Sequence, residues 1–284
     1  MLNVALAVLS GLIWGVGDFA GGKATQKAAV LPVVWVSKLV SLPLLAIYVL
    51  ATYVPVTPLG LAWGAMAGVA GLVGLVLFYR ALSAGAMTVV APVTGVTSAA
   101  IPVVVGLLSG ERPSGSRLLG IGCALLAIAM VSMSPSPPGQ RRVVSSRLVV
   151  EALGAGGGFA LFFILLDIAG EAAGGSAGLW PIVGSQLSAL VICGLLLLMT
   201  RADPWPRRAS LGFTMVAGPC DMTANALYLV ASRTGDLSVV APLAALYPVT
   251  TVILALIIDK ERPHGVQIAG LAFAAAALVL VSGQ

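Results

Sequence analysis

The sequence predicts an all-α integral membrane protein of ten transmembrane helices, built as two inverted-topology repeats of five. Three observations carry that prediction: the composition, the length of the apolar runs, and one passage that is written twice. Hydrophobic residues make up 59% of the 284 positions and charged residues 9%, with a mean hydropathy of +1.07. A soluble domain is usually about 25% charged, so water cannot be the solvent for most of this surface. Many apolar runs are near the ~20 residues needed to cross a bilayer. Residues 88–113 read TVVAPVTGVTSAAIPVVVGLLSGERP, and residues 238–263 read SVVAPLAALYPVTTVILALIIDKERP.

Taken in order, the runs predict helices over 3–22, 31–53, 59–82, 86–108 and 115–134 in the first half. The second half supplies 148–169, 178–200, 209–232, 236–258 and 264–282. Helices are expected rather than barrel strands because the runs are continuously apolar and do not alternate. The stretch from Ser134 to Arg147 is polar, basic and proline-rich, and it reads as the linker. The division is therefore 1–135, a linker at 136–147, and 148–284. The first run begins at Leu2 with no basic leader or clear cleavage site, and it is expected to be a retained helix.

At an offset of 150, residues 81–132 match 231–282 at fifteen of 52 positions, including Ala81/Ala231, Gly85/Gly235, Gly115/Gly265 and Gly120/Gly270. Five spans per unit is an odd number, so the second copy enters the membrane from the opposite side. Many secondary transporters use such an inverted repeat to place a site at the bilayer midplane. The loops after helices 1, 3, 5, 7 and 9 hold eleven Lys/Arg, namely Lys23, Lys27, Arg80, Arg141, Arg142, Arg147, Arg201, Arg207, Arg208, Lys260 and Arg262. The opposite loops hold three, Arg112, Arg117 and Arg233. The positive-inside rule then places both termini outside.

The net charge of +5 is scattered through short loops, which speaks for topology and against a nucleic-acid partner. Cys123, Cys193 and Cys220 stand alone in apolar runs, so neither a zinc site nor a disulfide framework is indicated. Gly156-Gly157-Gly158 is not a phosphate loop, since no strand precedes it and no Lys-Ser/Thr follows. No cofactor is expected.

Pro92 and Pro242 occupy matched positions inside apolar helices. Each removes a backbone donor where no water can replace it, which marks a pathway-lining break or a tolerated kink. Pro102 and Pro248 add further breaks, and Tyr247 puts an amphipathic ring beside one of them. Asp18 and Lys38 lie at ~6 and ~10 Å from one membrane face at 1.5 Å per residue, so they are expected to pair. That pair reads either as structural, with lysine snorkelling, or as a proton-exchanging carboxylate tuned by its neighbour. Asp221, Asn225 and Tyr228 share one face of helix 8, as a solute or proton site or as an interhelical hydrogen-bond cluster. Gln186 reads equally as a solute contact or a neighbour's hydrogen-bond partner. Asp167 and Glu151 are expected at the interface, and the two Glu-Arg-Pro triplets are expected to act locally, ending helices at the water boundary.

The Gly110-Glu111-Arg112-Pro113 and Lys260-Glu261-Arg262-Pro263 segments, the Ala-Pro openings, and Leu246-Tyr247-Pro248-Val249-Thr250 resemble the drug/metabolite transporter superfamily. The similarity is to its bacterial EamA-type members with two five-helix repeats, and Ile13-Trp14-Gly15-Val16-Gly17-Asp18-Phe19-Ala20-Gly21-Gly22 also resembles a form found there. The resemblance covers essentially the whole chain and implies small-solute transport. Where many members carry arginine in helices 2 and 7, this chain has Lys38 and Gln186.

The expected function is a secondary active transporter of a small metabolite or drug-like solute by alternating access, with protons as the candidate coupling ion and export as the candidate direction. Its expected setting is the plasma membrane of a bacterium, in contact with membrane lipid, as a monomer or homodimer. A carrier or flippase for a lipid-linked substrate is the alternative. A membrane-embedded enzyme is disfavoured, because His264 stands alone and no zinc pattern or nucleophile elbow is present.

Overall fold

A computed structural model describes residues 1–52, 54–83, 87–133, 145–171, 177–260 and 263–282. Most of the expected linker, including Arg141 and Arg142, lies outside the described residues, as do Gly85, Glu261 and Arg262. The described residues are helical throughout the expected runs: α1 Leu2–Thr25, α2 Val30–Thr52, α3 Pro58–Ser83, α4 Met87–Leu108, α5 Gly115–Val131, α6 Ser146–Glu171, α7 Trp180–Thr200, α8 Arg208–Ser232, α9 Leu237–Ala244, α10 Tyr247–Ile258 and α11 Gly265–Ser282. Eight stretches among the described residues are long and apolar enough to span a membrane, with α9 and α10 counted together as Leu237–Ile258. The apolar α5 is shorter, at 17 residues. The 25-residue α8 is long enough but is diluted by Asp221, Asn225 and several hydroxyl residues.

Within about three residues the expected boundaries agree with the structure, except in the ninth run and at the expected ends 53, 86 and 134, which lie outside the described residues. It was expected as one helix over 236–258, and it is broken at Ala245 and Leu246. The cause is Pro248. Pro248 has no N–H to offer the carbonyl of Ala244, and its ring disfavours helical geometry at Tyr247. The chain crosses the gap on tighter turns, Leu246 N donating to Leu243 O at 3.2 Å and Val249 N to Leu246 O at 2.9 Å. At the matched position α4 has Ser98 where α10 has Pro248, and α4 runs on through both Pro92 and Pro102.

Packing follows small residues. A Cβ built on Gly15 would stand 2.5 Å from the Tyr247 carbonyl oxygen, and one on Gly11 would stand 2.8 Å from that of Ala244. Glycine is therefore what lets α1 lie against the broken helix. Corresponding helices make corresponding contacts: α1 packs on α8 as α6 packs on α3, and α5 packs on α11. Contacts along each pair give its direction. Asn3 reaches Thr234 while Gly17 faces Cys220, so α1 and α8 are antiparallel. Tyr228 bonds to Phe163 and Gly170 faces Leu229 and Arg233, so α6 and α8 run the same way.

The two halves also end their matched helices alike. After α4, Glu111 N donates to Gly106 O and Gly110 N to Leu107 O, with Gly110 at φ +103°. This is a Schellman closure, which requires a left-handed residue at that point. The matched residue after α10 is Lys260, and it holds φ +54° without being glycine.

Large apolar side chains such as Ile47, Leu50, Met66, Val73, Leu198 and Val279 stand exposed on the outer faces of the helices. Apolar surface on this scale fits a lipid-facing belt, as it would promote association in water.

Candidate functional site

The site is a cavity of about 190 Å³ between the two halves, to which helices of both contribute. Its polar wall comes from Asp18 on α1, Lys38 on α2, Ser98 on α4, Ser185 on α7, and Asp221 and Asn225 on α8. Its aromatic wall comes from Trp14, Phe159, Phe162, Phe163 and Tyr247. Phe159, Phe162 and Phe163 recur at the spacing of one helical face on α6, which turns all three toward the cavity. The rings lock together, with Trp14 and Phe163 centroids 5.5 Å apart and Phe163 and Tyr228 4.8 Å apart. That cluster ties α1, α6 and α8 around the site.

The structure corrects the expected ion pair. Lys38 does not bond to Asp18; its ammonium donates to Asp221 Oδ2 at 2.5 Å, across 183 positions of sequence. The reason is adjacency: α2 packs against α8 and α7, and it barely touches α1. The Lys38 and Asp221 side chains keep 21% and 36% accessibility, so the pair faces the cavity rather than a dry core. Asp18 is open to the same cavity and forms no ion pair among the described residues.

The stripe on α8 divides by depth. Asp221 and Asn225 line the cavity, with Asn225 Nδ2 donating to the Asp221 carbonyl at 2.6 Å. Asn225 is 7% exposed, and its Oδ1 has no hydrogen-bond partner among the described residues. Tyr228 lies one turn deeper, fully buried, its hydroxyl donating to Phe163 O at 3.1 Å. It supports the aromatic wall and does not face the cavity.

Gln186 also stands outside the cavity lining. It is 3% exposed, and its Nε2 donates to Lys38 O at 2.7 Å and to Ser41 Oγ at 2.6 Å. Its position fits the neighbour-bonding alternative, since it holds the α2 backbone that carries Lys38. Pro92 and Pro242 are both buried, and neither is among the lining residues. The chain reaches the cavity further along, through Ser98 on α4 and Tyr247 on α10.

Glu111 departs from its expected local role. Its carboxylate crosses to the other half, accepting from Leu237 N at 2.7 Å and Ser238 N at 2.8 Å at the start of α9. A carboxylate there meets unsatisfied amides and the positive end of the helix dipole. Tyr247, singled out from the sequence, lines the cavity, whereas Trp14, the three phenylalanines of α6 and Ser98 were the least legible. Only the i, i+3, i+4 spacing of the three phenylalanines carried a usable signal.

Among the described residues, no group of three or more His, Cys, Asp or Glu side chains is placed to hold a metal. In sequence, no curated protein matches the chain. A solved crystal structure, described only as that of a protein, superposes with a TM-score of 0.76 at 14% identity, over 99% of this chain and 98% of that one. At that identity the likeness shows the fold. The family model for EamA-like transporters matches twice, over residues 1–133 and again over 149–283. A polytopic helical chain with one such match in each half and a polar cavity between them belongs to the EamA-like transporter family.

Proposed function

We propose that the protein is a secondary active transporter that moves a small solute across a bacterial plasma membrane by alternating access, with protons as the coupling ion. Its working unit is ten spans in two inverted repeats, α9 and α10 forming one broken span, and α5 and α8 completing the set. The antiparallel run of α1 against α8, together with the parallel run of α6 and α8, supports that inversion, because α1 and α6 open the two halves.

One observation carries the reading: the Asp18 carboxylate faces a cavity at the junction of the halves with no cation bonded to it among the described residues. A charged side chain inside a membrane span is costly, so a carboxylate held there without a cation points to use. The charged and titratable groups lining the cavity with it are Lys38 on α2, Asp221 on α8 and Tyr247 on α10. Asp18 then alternates between holding a proton and holding solute, while Lys38 stays bonded to Asp221. The break at Ala245–Leu246 supplies a hinge beside Tyr247, where a half-helix can tilt without breaking a continuous hydrogen-bond ladder. Lys23, Lys27, Arg207, Arg208 and Lys260 gather at the end where Lys23 bonds Asp259 at 2.6 Å, and this favours that end as cytoplasmic.

The test is transport in sealed vesicles. Adding solute to loaded vesicles should dissipate an imposed pH gradient, and Asp18→Asn should abolish the proton movement while the protein remains folded. Proton movement unchanged in Asp18→Asn would refute the coupling role. Absence of any solute movement by the wild-type protein across a range of solute classes would refute transport.

A further inference from the structure

We propose that the solute taken by this cavity is a monovalent organic amine with an aromatic or otherwise apolar body, and that amino acids and organic anions are excluded. The inference rests on reading the cavity as the solute pathway, and it follows from counting which groups there remain unspent. The cavity contains two carboxylates and one ammonium. The ammonium of Lys38 is committed to Asp221 at 2.5 Å, which leaves the Asp18 carboxylate as the uncompensated charge.

The neutral groups point the same way. Asn225 gives one N–H of Nδ2 to the Asp221 carbonyl, and its buried acceptor, Oδ1, has no partner among the described residues. A buried acceptor without a partner carries an uncompensated desolvation cost, so a ligand that donates to it gains what the protein alone does not supply. Ser98 donates its hydroxyl proton to Gly95 O at 2.8 Å and presents only lone pairs. The rest of the wall sets Trp14, Tyr247 and three phenylalanines beside aliphatic residues and Ser185, and ring faces attract cations. A protonated amine meets all of these demands, with its charge on Asp18, an N–H on Asn225 Oδ1, and its body against Trp14 and the α6 phenylalanines.

A free carboxylate on the solute finds no such welcome. Among the described residues no uncommitted cation lines the cavity, and a second negative charge would sit near both Asp18 and Asp221. A zwitterionic amino acid therefore loses more at its carboxylate than it gains at its ammonium. This is specificity by an unpaired charge built against the wrong solute.

The experiment is binding by isothermal titration to the purified full-length protein in detergent, with four probes that share one ring. They are phenethylamine, its N,N,N-trimethyl derivative, phenylalanine and phenylacetate. Phenethylamine should bind at least ten-fold tighter than phenylalanine or phenylacetate. The trimethyl derivative should bind more weakly than the primary amine, because it offers no N–H to Asn225. Asp18→Asn should weaken phenethylamine binding at least ten-fold with an unchanged gel-filtration profile. Asn225→Leu should reduce the preference for the primary over the trimethylated amine. Phenylacetate or phenylalanine binding as tightly as phenethylamine would overturn the proposal, as would unchanged amine affinity in a folded Asp18→Asn protein. Amine binding without transport in vesicles would leave this assignment standing and refute the transport reading; transport of an anion would do the reverse.

Discussion

The Lys38–Asp221 bond can be tested by a double-mutant cycle, using Lys38→Met and Asp221→Leu to remove each charge at near-constant volume. At 2.5 Å and an effective dielectric of about 20, the gross Coulomb attraction is about 6–7 kcal/mol. Desolvation of both groups opposes most of it. Breaking a fully buried pair costs about 3–5 kcal/mol, whereas exposed pairs contribute about 0.2–1 kcal/mol. Accessibilities of 21% and 36% place this pair between those limits. The expected coupling energy is about 1–3 kcal/mol, well above the ~0.5 kcal/mol scatter of independent sites. Equilibrium unfolding in mixed detergent micelles gives the four stabilities needed. A second cycle, Lys38→Met with Asp18→Asn, should give the smaller coupling, since Asp18 does not bond the lysine. Coupling below about 0.5 kcal/mol in the first cycle, or a larger value in the second, would refute the pairing.

Three further substitutions probe the ends of the matched helices. Lys260 occupies a left-handed conformation that its counterpart Gly110 enters without steric cost, so Lys260→Gly should stabilise the protein by up to about 1 kcal/mol, and Gly110→Ala should cost a similar amount; micellar unfolding measures both. Glu111→Gln weakens two charge-assisted bonds to the start of α9 and should cost about 1–2 kcal/mol. Faster hydrogen exchange at Leu237 and Ser238 would locate that loss, and unchanged exchange there would argue against the clasp.

The spans were legible because the bilayer leaves the backbone little choice. Lipid offers no hydrogen bonds, so an apolar run of the right length must be helical, and α1 to α4 fell where their composition put them. The repeat was legible for a different reason, since Val-Val-Ala-Pro and Gly or Lys followed by Glu-Arg-Pro recur without a gap. Asp18, Lys38, Asp221 and Asn225 could be singled out as costly residues for a membrane, and all four line one cavity. What each of them faces was not written in any local pattern. Lys38 and Asp18 are close in sequence and similar in depth, yet the lysine belongs to Asp221 because α2 leans on α8.

The same limit explains Tyr228 and Gln186. A helical stripe says which side chains lie together, but not where along that stripe the neighbouring helix closes over them. Depth and periodicity are properties of one helix in a layered solvent, and the chain alone determines them. Partnership between helices depends on close approaches such as Gly15 against Tyr247, where van der Waals fit over many residues selects one arrangement. The amino-acid order thus settled the helical class, the spans and the doubling of the unit. Tertiary packing decided which carboxylate was neutralised, which was left facing the cavity, and where the ninth span bends.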